Sequence, residues 1–127
     1  MIEMALLAEN KETDNKVRWA ADVQGTSFKL YIPKWRVPEP WPHLIHVTVS
    51  QLEAEKPLRL SREAAEAHPE SCSRSIVAHL RKYREQTQTI RYRPEGDEKE
   101  WEIGEPYIPT AMTFDEAERL TITVDWK

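Results

Sequence analysis

Hydrophobic side chains fall on every second residue over several stretches of this chain, and a backbone with that rhythm is committed to half-buried strands. The clearest case lies near the C-terminus, where Leu120, Ile122, Val124 and Trp126 alternate with Thr121, Thr123 and Asp125. Lys16 to Val23 places Val17, Trp19, Ala21 and Val23 on one side, and Thr26 to Pro33 does the same with Phe28, Leu30 and Ile32. The Gln24-Gly25 pair between them reads as a tight hairpin turn. Leu44 to Ser50 turns Ile45, Val47 and Val49 inward. Thr87 to Arg93 and Lys99 to Ile103 form two shorter runs flanking Pro94-Glu95-Gly96-Asp97, a turn in which proline fixes φ and glycine tolerates a positive one. Ile2 to Ala8 supplies a further strand.

A different rhythm is expected in the middle of the chain. Ser61 caps a short helix over Arg62 to Ala67 that Pro69 stops. Ser71 or Ser73 caps a longer one reaching about Gln86, with Ile76, Val77, Leu80, Tyr83 and Thr87 on one stripe. Arg74, Ala78, Arg81, Lys82 and Glu85 fall on the opposite side. Thr113-Phe114-Asp115-Glu116 has the form of a capping box before a single helical turn. Between the strands, Pro33 to Pro42 holds four prolines and two tryptophans, which makes it a stiff extended connector. The fold expected is therefore a single α+β domain spanning 1–127, an antiparallel sheet of five to seven strands with one main helix (about 71–86) packed on one face.

At 127 residues the chain can bury one core of ordinary size without disulfides, and its lone cysteine, Cys72, forms no intramolecular bridge. The N-terminal apolar run is short and flanked by acids, unlike a signal peptide, and no stretch approaches the ~20 apolar residues of a membrane helix. These features point to the cytoplasm and to no membrane partner. The net charge of −4 is unevenly distributed. Residues 73–93 carry six Lys/Arg against one Glu, and residues 94–127 carry ten Asp/Glu against three Lys/Arg.

Two surfaces stand out as candidate partner sites. One is the tryptophan-proline connector, with Trp35, Arg36, Trp41 and His43; Trp and Arg on a preordered loop are the residues that dominate interface hot spots. The competing reading makes both indoles lids over the open end of the core. The other is the acidic segment with Glu98, Glu100 and Glu102, suited to a basic partner. A nucleic-acid site would use Arg74, Arg81, Lys82, Arg91 and Arg93. If 71–86 is a helix, however, these split onto opposite sides of the sheet, leaving Tyr31 as the one stacking ring on the uncovered face. His43, His46, His68 and Cys72 have zinc-compatible spacings but lack the paired cysteines of a structural site, so no metal and no cofactor is assigned. Three glycines cannot build a phosphate loop, and neither a nucleophile elbow nor a His-Glu-x-x-His helix is present, so catalysis is not the expectation. The leading reading is a non-catalytic interaction protein of inhibitor, immunity or adaptor type whose partner is another protein. The alternative is a small-molecule binder or enzyme with a pocket between helix and sheet near Trp19, Tyr83 and Trp126. Nucleic-acid binding comes third, and a homodimer through an exposed strand edge is a further option.

Overall fold

The alternating segments do form strands, but they close on one another instead of lying open beneath a helix. The computed structural model describes residues 1–51 and 58–126, apart from the side chains of 10–12. In chain order the elements are β1 (Ile2–Glu12), β2 (Lys16–Val23), β3 (Thr26–Pro33), β4 (Leu44–Gln51), α1 (Arg62–Ala67), β5 (Ile76–Glu85), β6 (Thr89–Pro94), β7 (Tyr107–Pro109) and β8 (Arg119–Asp125). The strands make a closed barrel in the order β1-β2-β3-β7-β6-β5-β8-β4, with every neighbouring pair antiparallel. The ring closes through a short junction of β3 with the three-residue β7, whose register pairs Lys29 with Tyr107.

The two-residue rhythm explains why the barrel is solid. Trp19, Phe28, Leu30, Ile32, Ile45, Val47 and Val49 are fully buried, together with Ile90, Leu120, Ile122 and Val124 from the far wall. Burying each such aliphatic side chain contributes about 1.5–3 kcal/mol, so the interior is a packed core and not a ligand channel. Trp19 closes one end: its ring centroid lies 6.3 Å from that of Trp126, and its Nε1 donates to the Pro42 carbonyl at 2.9 Å. Tyr92 is also enclosed, donating its hydroxyl to the Ala117 carbonyl at 2.6 Å; burial pushes its pKa up to about 12.

The α+β expectation is corrected here: the stretch expected as the main helix is β5. Ile76, Ala78 and Leu80 face inward opposite Val124, Ile122 and Leu120 of β8. The helical-looking stripe has a physical origin. Val77 and His79 point outward, yet the segment after β6 covers them, so both sides of the strand are partly buried and the alternation is blurred. An irregularity between Lys82 and Arg84 then inserts Tyr83 as an extra residue, a β-bulge that shifts the register once more. Around it, α1 forms where expected, with the Ser61 hydroxyl accepting from the Ala64 amide at 3.1 Å. Two shorter expectations are also corrected. Residues 98–100 make a 3-10 turn followed by irregular chain, not a strand. Phe114, Asp115 and Glu116 all adopt left-handed backbone angles (φ of 52°, 60° and 60°), so the Thr113 segment is a left-handed turn, held by the capping bond from Glu116 N to Thr113 Oγ1 at 3.2 Å and by Ala117 N to the Thr113 carbonyl at 2.9 Å.

No helix among the described residues is long and apolar enough to cross a membrane. The barrel wall has the reverse polarity of a membrane-spanning barrel, with apolar side chains inside and arginines outside.

Candidate functional site

Because directly opposed residues of an antiparallel pair share a face, the register assigns the outward side chains. Lys29 of β3 pairs with Tyr107 of β7, Tyr107 with Arg91 of β6, and Arg91 with Arg84 of β5. A second row runs through Arg93 of β6, Arg81 of β5 and Arg119 of β8. With strands about 4.8 Å apart, the first row spans about 14 Å and the second about 10 Å. The rows lie two residues apart on β6, or about 7 Å. Five guanidinium groups thus converge on one outer wall.

Aromatic rings are interleaved with them. The bulge turns Tyr83 outward with 45% of its surface exposed, and the guanidinium carbons of Arg93, Arg91 and Arg84 lie 3.9, 5.1 and 5.7 Å from its ring centroid. Arg91 also sits 5.5 Å from the ring of Tyr107, which is 36% exposed. Farther along, Arg18 lies 5.8 Å over Tyr31 and donates to its hydroxyl at 3.0 Å. These contacts hold the rings and cations in fixed relative positions.

One carboxylate organises two of the five guanidinium groups. Glu105 accepts from Arg91 Nη2 and from Arg93 Nε, both at 2.8 Å. Burial alone would raise its pKa, but hydrogen bonds from Arg93 and Arg91 outweigh that and hold it below the ordinary carboxylate value. Arg81, Arg84 and Arg119 have no carboxylate partner among the described residues. All three side chains are exposed.

Arg81, Arg91 and Arg93 come together, which overturns the expectation that they lie on opposite sides. That expectation depended on the helix. Lys82 points away and pairs with Glu85 at 2.8 Å, while Arg74 lies seven residues from Arg81, about 23 Å along an extended chain. In the tryptophan-proline connector, Arg36 is wholly buried and pairs with buried Glu102 at 2.6 Å; neither presents a surface to a partner. Trp35 is half-buried against Leu60, Ala65 and Cys72 and acts as a lid. Trp41 remains 41% exposed with the Lys34 ammonium 5.7 Å from its ring, and His43 is exposed beside it in sequence. Glu98 is exposed, and Glu100 accepts from the Arg62 amide at 3.1 Å at the start of α1. Cys72 is buried, and desolvation raises its pKa, so it is a poor nucleophile. The helix that would have roofed a pocket near Trp19, Tyr83 and Trp126 is absent, and Tyr83 stands on the opposite side of the wall from the core.

Sequence reasoning missed Tyr83, Arg84, Tyr107 and Arg119. The alternation Val77, His79, Arg81 carried the signal, had 76–85 been read with a period of two. Two depressions border the arginine wall: a groove of about 950 Å³ that includes Tyr31, Trp35, Trp101 and Tyr107, and a cleft of about 260 Å³ beside His79. Among the described residues no group of three or more His, Cys, Asp or Glu is placed to hold a metal ion. Compared with protein-family profiles, curated proteins and solved structures, the chain finds no match.

Proposed function

We propose that this chain is a non-catalytic binding domain that holds single-stranded nucleic acid on the outer wall of β7, β6, β5 and β8. The observation that carries the reading is the register: it sets Arg81, Arg84, Arg91, Arg93 and Arg119 on one face with exposed Tyr83 and Tyr107 among them. Guanidinium groups neutralise phosphates and release counterions, while exposed rings stack on unpaired bases without regard to sequence. A single strand suits this surface because its bases are free to reach the rings, whereas those of a duplex are already stacked. The chain's net charge of −4 makes the contact local, with little long-range steering. The compartment proposed with it is the cytoplasm, where a lone thiol such as Cys72 stays reduced.

A second reading, a protein partner docked at Trp41 and His43, retains one favourable observation: Trp41 is exposed on a connector that buried Arg36 anchors.

The test is fluorescence anisotropy with a labelled oligothymidylate titrated at several salt concentrations. Each phosphate neutralised contributes about −0.7 to the slope of log K against log[salt], so the three arginines free of Glu105 predict a slope near −2. The double variant Arg81→Glu/Arg119→Glu abolishes binding, and Trp41→Ala leaves it intact. Absence of binding to the wild-type protein, or binding indifferent to the double variant, refutes the proposal.

A further inference from the structure

The outward side chains of β5 form a line, Val77, His79 and Arg81, and the second of these is the anomaly. His79 is only 7% exposed, yet its side chain has no hydrogen-bond or ion-pair partner among the described residues. Its ring nitrogens keep access to solvent, so they are open to whatever enters the space beside them. It lines the cleft of about 260 Å³, whose other walls are Val77, Pro94, Glu95, Gly96, Glu102 and Arg59. The glycine matters to the shape. A Cβ added at Gly96 would lie 2.7 Å from Arg59 Nη1, so the guanidinium rests directly on the bare backbone of the turn. Arg59 likewise has no carboxylate or carbonyl partner among the described residues.

The cleft therefore presents two unsatisfied nitrogen-bearing groups beside a short apolar wall of Val77 and Pro94. The two carboxylates do not cancel them equally. Glu102 is taken, with one oxygen on Arg36 Nε at 2.6 Å and the other accepting from the Leu60 amide at 3.4 Å. Glu95 is exposed. We infer that this cleft is a second binding site, for the oxyanion of a phosphate monoester, with Arg59 and His79 as the groups that hold it. A guanidinium offers five donors and suits a tetrahedral oxyanion, while an imidazole supplies a directed donor from a fixed position on the strand. The volume lies just below the range of sites for drug-sized ligands and admits a phosphate with a small apolar body. The site adjoins the arginine wall, since His79 is two residues from Arg81, but its assignment does not rest on nucleic-acid binding there.

Two sources can supply this chemistry: a free phosphate ester, or the phosphorylated end of a strand lying along the arginines. The experiment is a titration with phenyl phosphate, followed by the ring-proton resonances of the chain's four histidines and with benzamide as the neutral control. The expected result is a saturable shift confined to His79, absent with benzamide. Affinity should fall at least tenfold in Arg59→Met, a change at an exposed position, and in His79→Gln, which keeps a polar side chain of similar reach. The shift should persist in Arg81→Glu/Arg119→Glu, so failure of the wall and failure of the cleft are separable. A 5′-phosphorylated oligothymidylate binding at least fivefold tighter than its 5′-hydroxyl counterpart, with the preference lost in Arg59→Met, identifies a strand end; equal binding identifies a free ester. No saturable shift at His79, or a shift unchanged by Arg59→Met, overturns the inference and leaves a water-filled notch.

Discussion

Replacing Arg36 with methionine tests whether the tryptophan-proline connector is an anchored part of the scaffold. The side chain is wholly buried and makes four kinds of contact: Nε with Glu102 at 2.6 Å, Nη1 with the Cys72 carbonyl at 2.9 Å, and Nη2 with the carbonyls of Arg74 and Ser75 at 2.8 and 3.2 Å. Methionine fills a similar volume but leaves the Glu102 carboxylate, only 6% exposed, with the long Leu60 amide contact and nothing else. Breaking a buried ion pair by removing one partner costs about 3–5 kcal/mol, because the stranded charge keeps its desolvation penalty. At this chain length each kcal/mol moves the melting temperature by about 4 °C, so Arg36→Met should melt about 12–20 °C lower. Glu102→Leu alone strands the guanidinium and should cost a comparable amount. The double variant removes both charges and should cost clearly less than the two singles together, with a coupling of at least about 2 kcal/mol. The orphaned carbonyls of Cys72, Arg74 and Ser75 are common to Arg36→Met and the double variant, so they cancel in the cycle. Urea denaturation with an unchanged m-value is the assay. A cost below about 1 kcal/mol for Arg36→Met, or additive singles, refutes the claim that this pair ties the connector to the segment after β6.

The two tryptophans of the connector should behave differently: Trp41→Ala changes stability by no more than about 0.5 kcal/mol, whereas Trp35→Ala, opening the lid over Leu60 and Cys72, costs about 2 kcal/mol in the same assay. Glu105 carries the pH dependence. Its pKa is depressed, so its bridge to Arg91 and Arg93 is complete above the ordinary carboxylate value of 4.5 and is lost as pH falls through the lower folded value. Anisotropy with oligothymidylate should show affinity rising over that window as the two arginines are released. Glu105→Gln should bind more tightly at neutral pH and lose the pH response; an identical pH profile in wild type and variant contradicts this role.

Most strands were legible because one of their faces is dry. From β2 to β4 the alternation of Val17, Trp19, Phe28, Leu30, Ile32, Ile45, Val47 and Val49 gives position and direction together. β5 was not legible because it is covered on both sides near His79 and irregular at Tyr83, and each effect removes the signature of a strand with one wet face. β7 is three residues long, too short for any periodicity to register. The candidate site fell with β5. Arg81 and Arg93 are twelve residues apart in sequence, and only the antiparallel register makes them neighbours. Burial of Arg36 and Glu102 was illegible for a related reason, since a charged pair enters a core only when its partner is known. By contrast, the Ser61 cap and the Gln24-Gly25 hairpin depend on residues adjacent in sequence, and both were readable.

The strand order makes β4 the keystone of the ring. Its Val49 lies between Ile2 of the first strand and Ile122 of the last, so the ring cannot shut until both ends of the sequence are present. During synthesis, about 70 residues must follow β4 before β8 emerges, an interval of roughly 3–14 seconds at ordinary elongation rates. Through that interval the outer margin of β4 offers unpaired amides and carbonyls on a long apolar strand, the template on which other chains aggregate. A ring that is closed when finished thus begins as an open sheet. Any shortening that removes β8 makes that vulnerable state permanent.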